Sequence, residues 1–159
     1  MSDIIATDGR FSEEHRQVLS VLFDMMIPAV GPMPSAADPN IARRTLAELS
    51  DHAELVTEAL TALGELVSKS HQQSIDALDR TQRAVIVETF KPLRPAFIQI
   101  LQAQTIASYY QDDRVLLALG LPTRSPHPGG YEVPATDWSL LDPVRARKPF
   151  YRQTGGDNG

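Results

Sequence analysis

The stretch Asp79-Arg80-Thr81-Gln82-Arg83-Ala84-Val85-Ile86-Val87-Glu88-Thr89-Phe90-Lys91-Pro92 decides the fold class. Its centre, Val85-Ile86-Val87, is β-branched, and such runs pack well in a strand. The two ends read differently. Asp79 followed by Gln82 is the spacing of a capping box, in which each side chain satisfies the other residue's backbone N–H. Pro92 lacks an N–H and closes the segment. Framed in this way, the stretch is predicted to be a short helix carrying Val85, Val87 and Phe90. With its one strand candidate removed, the chain reads as all-α, a small helical bundle of about five or six helices.

The same logic extends upstream. Asp51 with Glu54 reads as a second capping-box pair, opening a helix lined by Val56, Ala59, Leu60, Leu63 and Val67 and broken by Ser68-Lys69-Ser70-His71. Asp38-Pro39 opens a helix carrying Ile41, Leu46 and Leu49, since proline at the first helical position loses no hydrogen bond. Residues 28–38 read as a loop. Ser12, followed by Glu13 and Glu14, caps a first helix with Val18, Val21, Leu22, Met25 and Met26 on one face, ended by Pro28.

Downstream, Pro95 opens a helix with Phe97, Ile98, Leu101, Thr105 and Tyr109 on one face. Asp112 or Asp113 caps a last short helix, Val115–Leu119, and Gly120 stands where a left-handed C-terminal cap belongs, with Pro122 beyond it. Residues 1–120 are therefore expected to form a helical domain, and residues 121–159 an extended docking arm with a disordered end. Six of the twelve prolines fall in that arm (Pro122, Pro126, Pro128, Pro134, Pro143, Pro149), and proline favours extended backbone without internal hydrogen bonds.

Composition bounds the function. The 159 residues include no cysteine, which excludes disulfides, thiolate catalysis and Cys-based zinc sites in this chain and suits a reducing compartment. The net charge is −5, of which the arm (Arg124, Arg145, Arg147, Lys148 and Arg152 against Glu132, Asp137, Asp142 and Asp157) carries +1 and residues 1–120 carry −6. Neither part is a basic surface, so nucleic acid is not an expected partner. No run reaches the ~20 apolar residues of a membrane span, so no direct membrane insertion is expected. The opening Met1-Ser2-Asp3-Ile4-Ile5-Ala6-Thr7-Asp8 has neither a basic region followed by a long apolar run nor a twin-arginine stretch.

No catalytic motif emerges. His15, His52, His71 and His127 show no metal-ligand spacing and read as surface histidines. Asp112 and Asp113 are adjacent, so they do not face one pocket, and a helix cap explains them better than a catalytic pair. No serine stands in a Gly-x-Ser-x-Gly turn, and Gly129-Gly130 lacks the strand and helix of a phosphate loop. The expectation is no catalytic, cofactor-binding or metal-binding residue in this chain. Met25-Met26 and the leucine stripes read as core.

The arm differs from the rest in texture. From Pro128 on it holds the only Trp, with Tyr131, Phe150, Tyr151 and three arginines, Arg145, Arg147 and Arg152. Trp, Tyr and Arg dominate binding hot spots, and prolines reduce the entropy lost when an extended segment docks. Leu140 and Leu141 are costly to leave in water. The expected partner-binding residues are Tyr109, Tyr110, Tyr131, Trp138, Leu140, Leu141, Arg145, Arg147, Phe150, Tyr151 and Arg152. Whether the arm docks on a partner or wraps over its own helices stays open at this point, because both readings ask for the same residues.

Three segments bear a family resemblance. Phe11 through Pro28 resembles the opening helix of the gluconate 2-dehydrogenase subunit 3 family. Tyr109-Tyr110-Gln111-Asp112-Asp113-Arg114-Val115-Leu116-Leu117-Ala118-Leu119-Gly120 is similar to that family's Tyr-Tyr, acid, Val, Leu-Gly segment, and the Pro128-Gly129-Gly130-Tyr131 turn to its ending. The resemblance implies a non-catalytic small subunit that binds and stabilises a large FAD-dependent dehydrogenase subunit of the glucose-methanol-choline type, with the FAD in that partner subunit. Many members carry a twin-arginine signal. Without one in its first residues, this chain is expected in a cytoplasmic hetero-oligomer, and in a periplasmic one only if the partner carries the export signal. Two rivals remain: a stand-alone helical adaptor or regulator, and an enzyme using His71 with Asp76 and Asp79.

Overall fold

Asp79 does cap the deciding stretch. In the computed structural model, which describes residues 10–71, 74–123, 130 and 135–148, its carboxylate accepts from the Gln82 N–H at 2.8 Å while the Gln82 side chain accepts from the Asp79 N–H at 3.0 Å. The reciprocal capping box starts a helix, Arg80–Phe90. The β-branched centre turns Ile86, not Val85, into the core. Ile86 and Phe90 are buried, Val87 is half-buried, and Val85 is exposed. The expected face was off by one residue, because Val85 and Val87 follow the period of a strand, while the core side of a helix repeats at 3.6.

The protein is all-α. Six helices form the body: α1 Glu13–Met26, α2 Pro39–Leu49, α3 Ala53–His71, α4 Arg80–Phe90, α5 Pro95–Tyr109 and α6 Asp113–Ala118. Among the described residues no strand occurs, only an isolated bridge between Val30 and Met33 within the 28–38 loop. Gly31, at φ +56°, makes the tight turn of that bridge. Hydrogen bonds to α1 and its C-terminal end help hold the loop down: Ala36 N–H to the Ile27 carbonyl at 2.9 Å, and the Ser35 hydroxyl to Asp24 at 2.6 Å.

Local signals place most of these ends. The Ser12 hydroxyl accepts from the His15 N–H, Asp38 from Asn40, and Asp112 from Arg114. Pro39 and Pro95 sit in the first turns of α2 and α5. Gly120, at φ +71°, closes α6 in a Schellman motif, with Leu121 N–H to Leu116 O at 2.9 Å and Gly120 N–H to Leu117 O at 3.0 Å.

Three expectations are corrected. Asp51 and Glu54 form no capping box: α2 passes through a 3-10 turn, Ser50–His52, straight into α3, and its flanks Leu49 (φ −67°, ψ −21°) and Ala53 (φ −55°, ψ −39°) are both helical. A capping residue must be extended, and this junction never leaves the helical region. The Ser68-Lys69-Ser70-His71 cluster does not break α3, which runs through His71. Ser70 stays helical by donating its hydroxyl to the Leu66 carbonyl at 2.9 Å. On α1 the buried centre is Leu19, Leu22 and Phe23, with Val18, Val21 and Met26 packed at its margins.

The core runs from Phe11 to Val115. α2 lies along α5, and α3 touches α1, α4 and α5. On α3, Val56, Ala59, Leu60, Leu63 and Val67 are all buried. Phe90 and Phe97 join α4 to α5 edge to face, with centroids 6.2 Å apart and planes at 75°. The buried hydroxyls of Thr45 and Thr105 donate to the carbonyls of Ile41 (3.0 Å) and Leu101 (2.6 Å), so neither is left unsatisfied. Each fully buried large aliphatic or aromatic side chain here contributes about 1.5–3 kcal/mol. Among the described residues no helix is long and apolar enough to cross a membrane.

The chain divides into two units, Met1–Thr123 and Arg124–Gly159. The second unit contains one feature that the proline spacing did not reveal, a 3-10 turn Trp138–Leu141 leading directly into a short helix, α7 Asp142–Arg145. The expected disordered end lies outside the described residues.

Candidate functional site

Tyr109 and Tyr110 meet at right angles, 5.4 Å between centroids, at the C-terminal end of α5. Their environments are opposite. Tyr109 is buried at 4% exposure and donates its hydroxyl to the Pro34 carbonyl at 3.0 Å. Burial pushes its phenol above the ordinary value. This correction removes Tyr109 from the docking residues: it ties the 28–38 loop to α5 and presents little to a partner. Tyr110 is half exposed and keeps a ring available.

Around this pair lies the strongest charge cluster of the body. Arg114 forks onto Asp38, at 2.7 and 3.0 Å, and onto Asp112, at 2.9 and 3.0 Å. The guanidinium holds both carboxyls below their ordinary range, and they in turn raise its own pKa. Arg44 adds a bond from α2 to the Ser108 carbonyl at 3.2 Å. The arrangement fixes the start of α2 against the start of α6. Four guanidinium N–H bonds go to the two acids, and the guanidinium favours the ionised form of both. The sequence showed Asp38 and Asp112 only as caps. Their shared arginine lies 76 residues from Asp38, a separation that no local pattern exposes.

Asp79 is occupied by its capping box. The Ser74 hydroxyl, the largest influence on Asp76, holds that carboxyl below its ordinary value. Among the described residues no hydrogen bond or ion pair joins His71 to either acid, and no group of three or more His, Asp or Glu side chains is placed to hold a metal ion. His127 lies outside the described residues. Two open clefts mark the body. One of about 360 Å³ lies between α1 and α3, over Val18, Leu63, Gly64 and Val67. The other, of about 210 Å³, lies where Arg94 enters α5.

In the arm, the structure describes Trp138, Leu140, Leu141, Arg145 and Arg147. Tyr131, Phe150, Tyr151 and Arg152 lie outside the described residues. Trp138 is 64% exposed, Leu140 73%, Leu141 39% and Val144 55%. Val144 was not among the expected docking residues, and only the helical turn places it beside them. Four apolar side chains this open lie within seven residues of one another, whereas exposed hydrophobics scattered singly are ordinary. Asp137 accepts from the Ser139 N–H (3.0 Å) and hydroxyl (2.6 Å), which starts the turn and lowers the acid's pKa. Asp142 pairs with Arg145 at 3.5 Å.

Comparison with protein families, with curated proteins and with solved structures finds no match to this chain.

Proposed function

We propose that this chain is the small, non-catalytic subunit of an FAD-dependent sugar or alcohol dehydrogenase, and that it binds and stabilises the large glucose-methanol-choline-type flavoprotein through its C-terminal arm. The observation that carries the docking role is the exposed apolar set Trp138, Leu140, Leu141 and Val144, gathered within seven residues of the arm. The flavoprotein as partner rests on the resemblance of the Phe11–Pro28 and Tyr109–Gly120 segments. In this reading Tyr110 and the arm arginines Arg145 and Arg147 supply polar and stacking contacts, and the FAD belongs to the partner.

Co-expression with a flavoprotein of this class tests the reading. The full chain should co-purify with the flavin-bearing subunit, and truncation after Thr123 should abolish this while leaving the body folded, because the buried core lies between Phe11 and Val115. A flavoprotein that never retains the full chain overturns the reading in favour of a stand-alone helical adaptor. A truncated chain that co-purifies as well as the full one moves the interface from the arm to the body.

A further inference from the structure

The stretch from Asp137 to Lys148 is better organised than a tether needs to be. Asp137 caps its start through the Ser139 N–H. Leu140 N–H reaches the Asp137 carbonyl at 3.3 Å, and Ala146 N–H the Asp142 carbonyl at 3.0 Å. Pro143 sits in the first turn of α7, where its fixed φ favours the helix. In a 3-10 turn, residues three apart eclipse, so Trp138 and Leu141 fall on one line. At about 100° per residue beyond Leu141, Val144 and Arg145 fall on either side of that line. Ser139 and Asp142 lie about 100–120° to one side of that line and Leu140 about 120° to the other. The result is an apolar arc from the Trp138–Leu141 line through Val144 to Leu140, with the polar residues on the opposite flank. Eight residues cannot hold a helix by propensity alone, so the cap and the proline serve to preset the shape, and presetting lowers the ordering cost on docking.

The cations point to what covers this face. Arg145, Arg147 and Lys148 cluster at its C-terminal end. Asp142 engages Arg145, whereas Arg147 and Lys148 have no ion-pair partner among the described residues. A groove that takes the apolar face must therefore present acids beside the helix end. An anionic membrane would also attract these cations, but it would repel the −6 carried by residues 1–120.

We propose that the arm docks as a short preset helix, laying the Trp138–Leu141–Val144 face into an apolar groove of the large flavoprotein subunit whose rim is acidic where Arg145, Arg147 and Lys148 arrive. This rests on the partner assigned under Proposed function.

The face can be mapped by titrating the flavoprotein with full-length variants. Helical docking puts Leu141 on the Trp138 line, whereas an extended segment would put Leu140 there and turn Leu141 away. Trp138→Ala is expected to weaken binding about tenfold or more, Leu141→Ala to weaken it more than Leu140→Ala, and Asp137→Ala to weaken it about fivefold by removing the cap. Ser139→Ala, on the polar flank, should change it by less than about threefold. A larger loss for Leu140→Ala than for Leu141→Ala, with Asp137→Ala neutral, overturns the helical mode. Binding that none of these variants alters overturns the arm face while leaving the flavoprotein partnership intact. A full chain that does not bind the flavoprotein overturns both. Trp138 is the only Trp in the chain, so a blue shift of its emission with phosphatidylserine vesicles overturns the protein groove in favour of a membrane.

Discussion

Phe97 and Trp138 are both large aromatics near the start of proline-bearing helical segments, yet one is 1% exposed and the other 64%. Phe97 follows Pro95 into α5, and its neighbours at helical spacing, Leu101 and Thr105, are buried with it against α2 and α4. Trp138 follows Asp137 into the arm's short turn, and Leu140, Leu141 and Val144 stay open with it. In the first case the amphipathic pattern is consumed within the chain. In the second the same kind of pattern stays open to solvent, and in the proposed reading this contrast separates folding residues from recognition residues.

The contrast can be broken most sharply at its buried end. Phe97→Ala should cost about 3–5 kcal/mol, the range for emptying a closely packed aromatic site, and chemical denaturation followed by circular dichroism measures it. A loss below about 1 kcal/mol would mean that the site collapses freely and that α4 and α5 are not held by the ring pair. A smaller effect is expected at the Arg114 fork. Asp38 and Asp112 have folded-state pKa values below the ordinary value of 3.8, so the unfolded chain binds more protons in that window. Their stabilisation is full above the carboxylate range and is lost as pH falls through the lowered values. Arg114→Met should therefore destabilise the protein near neutrality, and its gap from the wild type should narrow as the pH falls below the ordinary carboxyl value of 3.8. A gap that does not narrow would show that the fork's charge contributes nothing.

The legible and illegible parts of the sequence divide along the range of the interactions. Caps and stops act within four residues, so Ser12, Asp38, Asp79, Asp112, Gly120, Pro39 and Pro95 could be read directly. The α3 face was complete because its aliphatic residues recur at a clean helical period. The α1 and α4 faces slipped by about a residue because methionines or valines flank the true centre, and only the neighbouring helices decide which side is covered. Asp51 looked like a cap because the reading sees spacing but not the backbone that precedes it. Arg114, Arg44 and the Tyr109–Pro34 bond depend on tertiary approach, and nothing near them in sequence marks it. In the arm, the prolines concealed a helical turn that begins at an ordinary Asx cap.

A stabilising change sharpens the comparison further. Gly64 lies in the interior of α3, is exposed, and a Cβ added there would meet nothing within 4 Å. Glycine in a helix interior costs up to about 1 kcal/mol relative to alanine, through lost backbone entropy. Gly64→Ala should stabilise the body by roughly 0.5–1 kcal/mol and raise the thermal midpoint. A drop in stability would show that α3 bends at this position and that the open cleft above it depends on the bend.

The smallest expected effect falls at the exposed end. Trp138→Ala removes the largest side chain of the arm, yet a residue already 64% open loses little burial on truncation. Surface substitutions away from caps and cores usually change stability by less than about 0.5 kcal/mol, and the cap here belongs to Asp137, which the variant leaves in place. The denaturation midpoint of the full chain should therefore stay with the wild type, whereas Phe97→Ala moves it far. Read beside the binding titration, a Trp138→Ala chain that is fully stable but binds the flavoprotein poorly separates the two roles in one residue. A chain that loses more than about 1 kcal/mol of stability would instead make Trp138 a folding residue, and the contrast with Phe97 would then be one of degree.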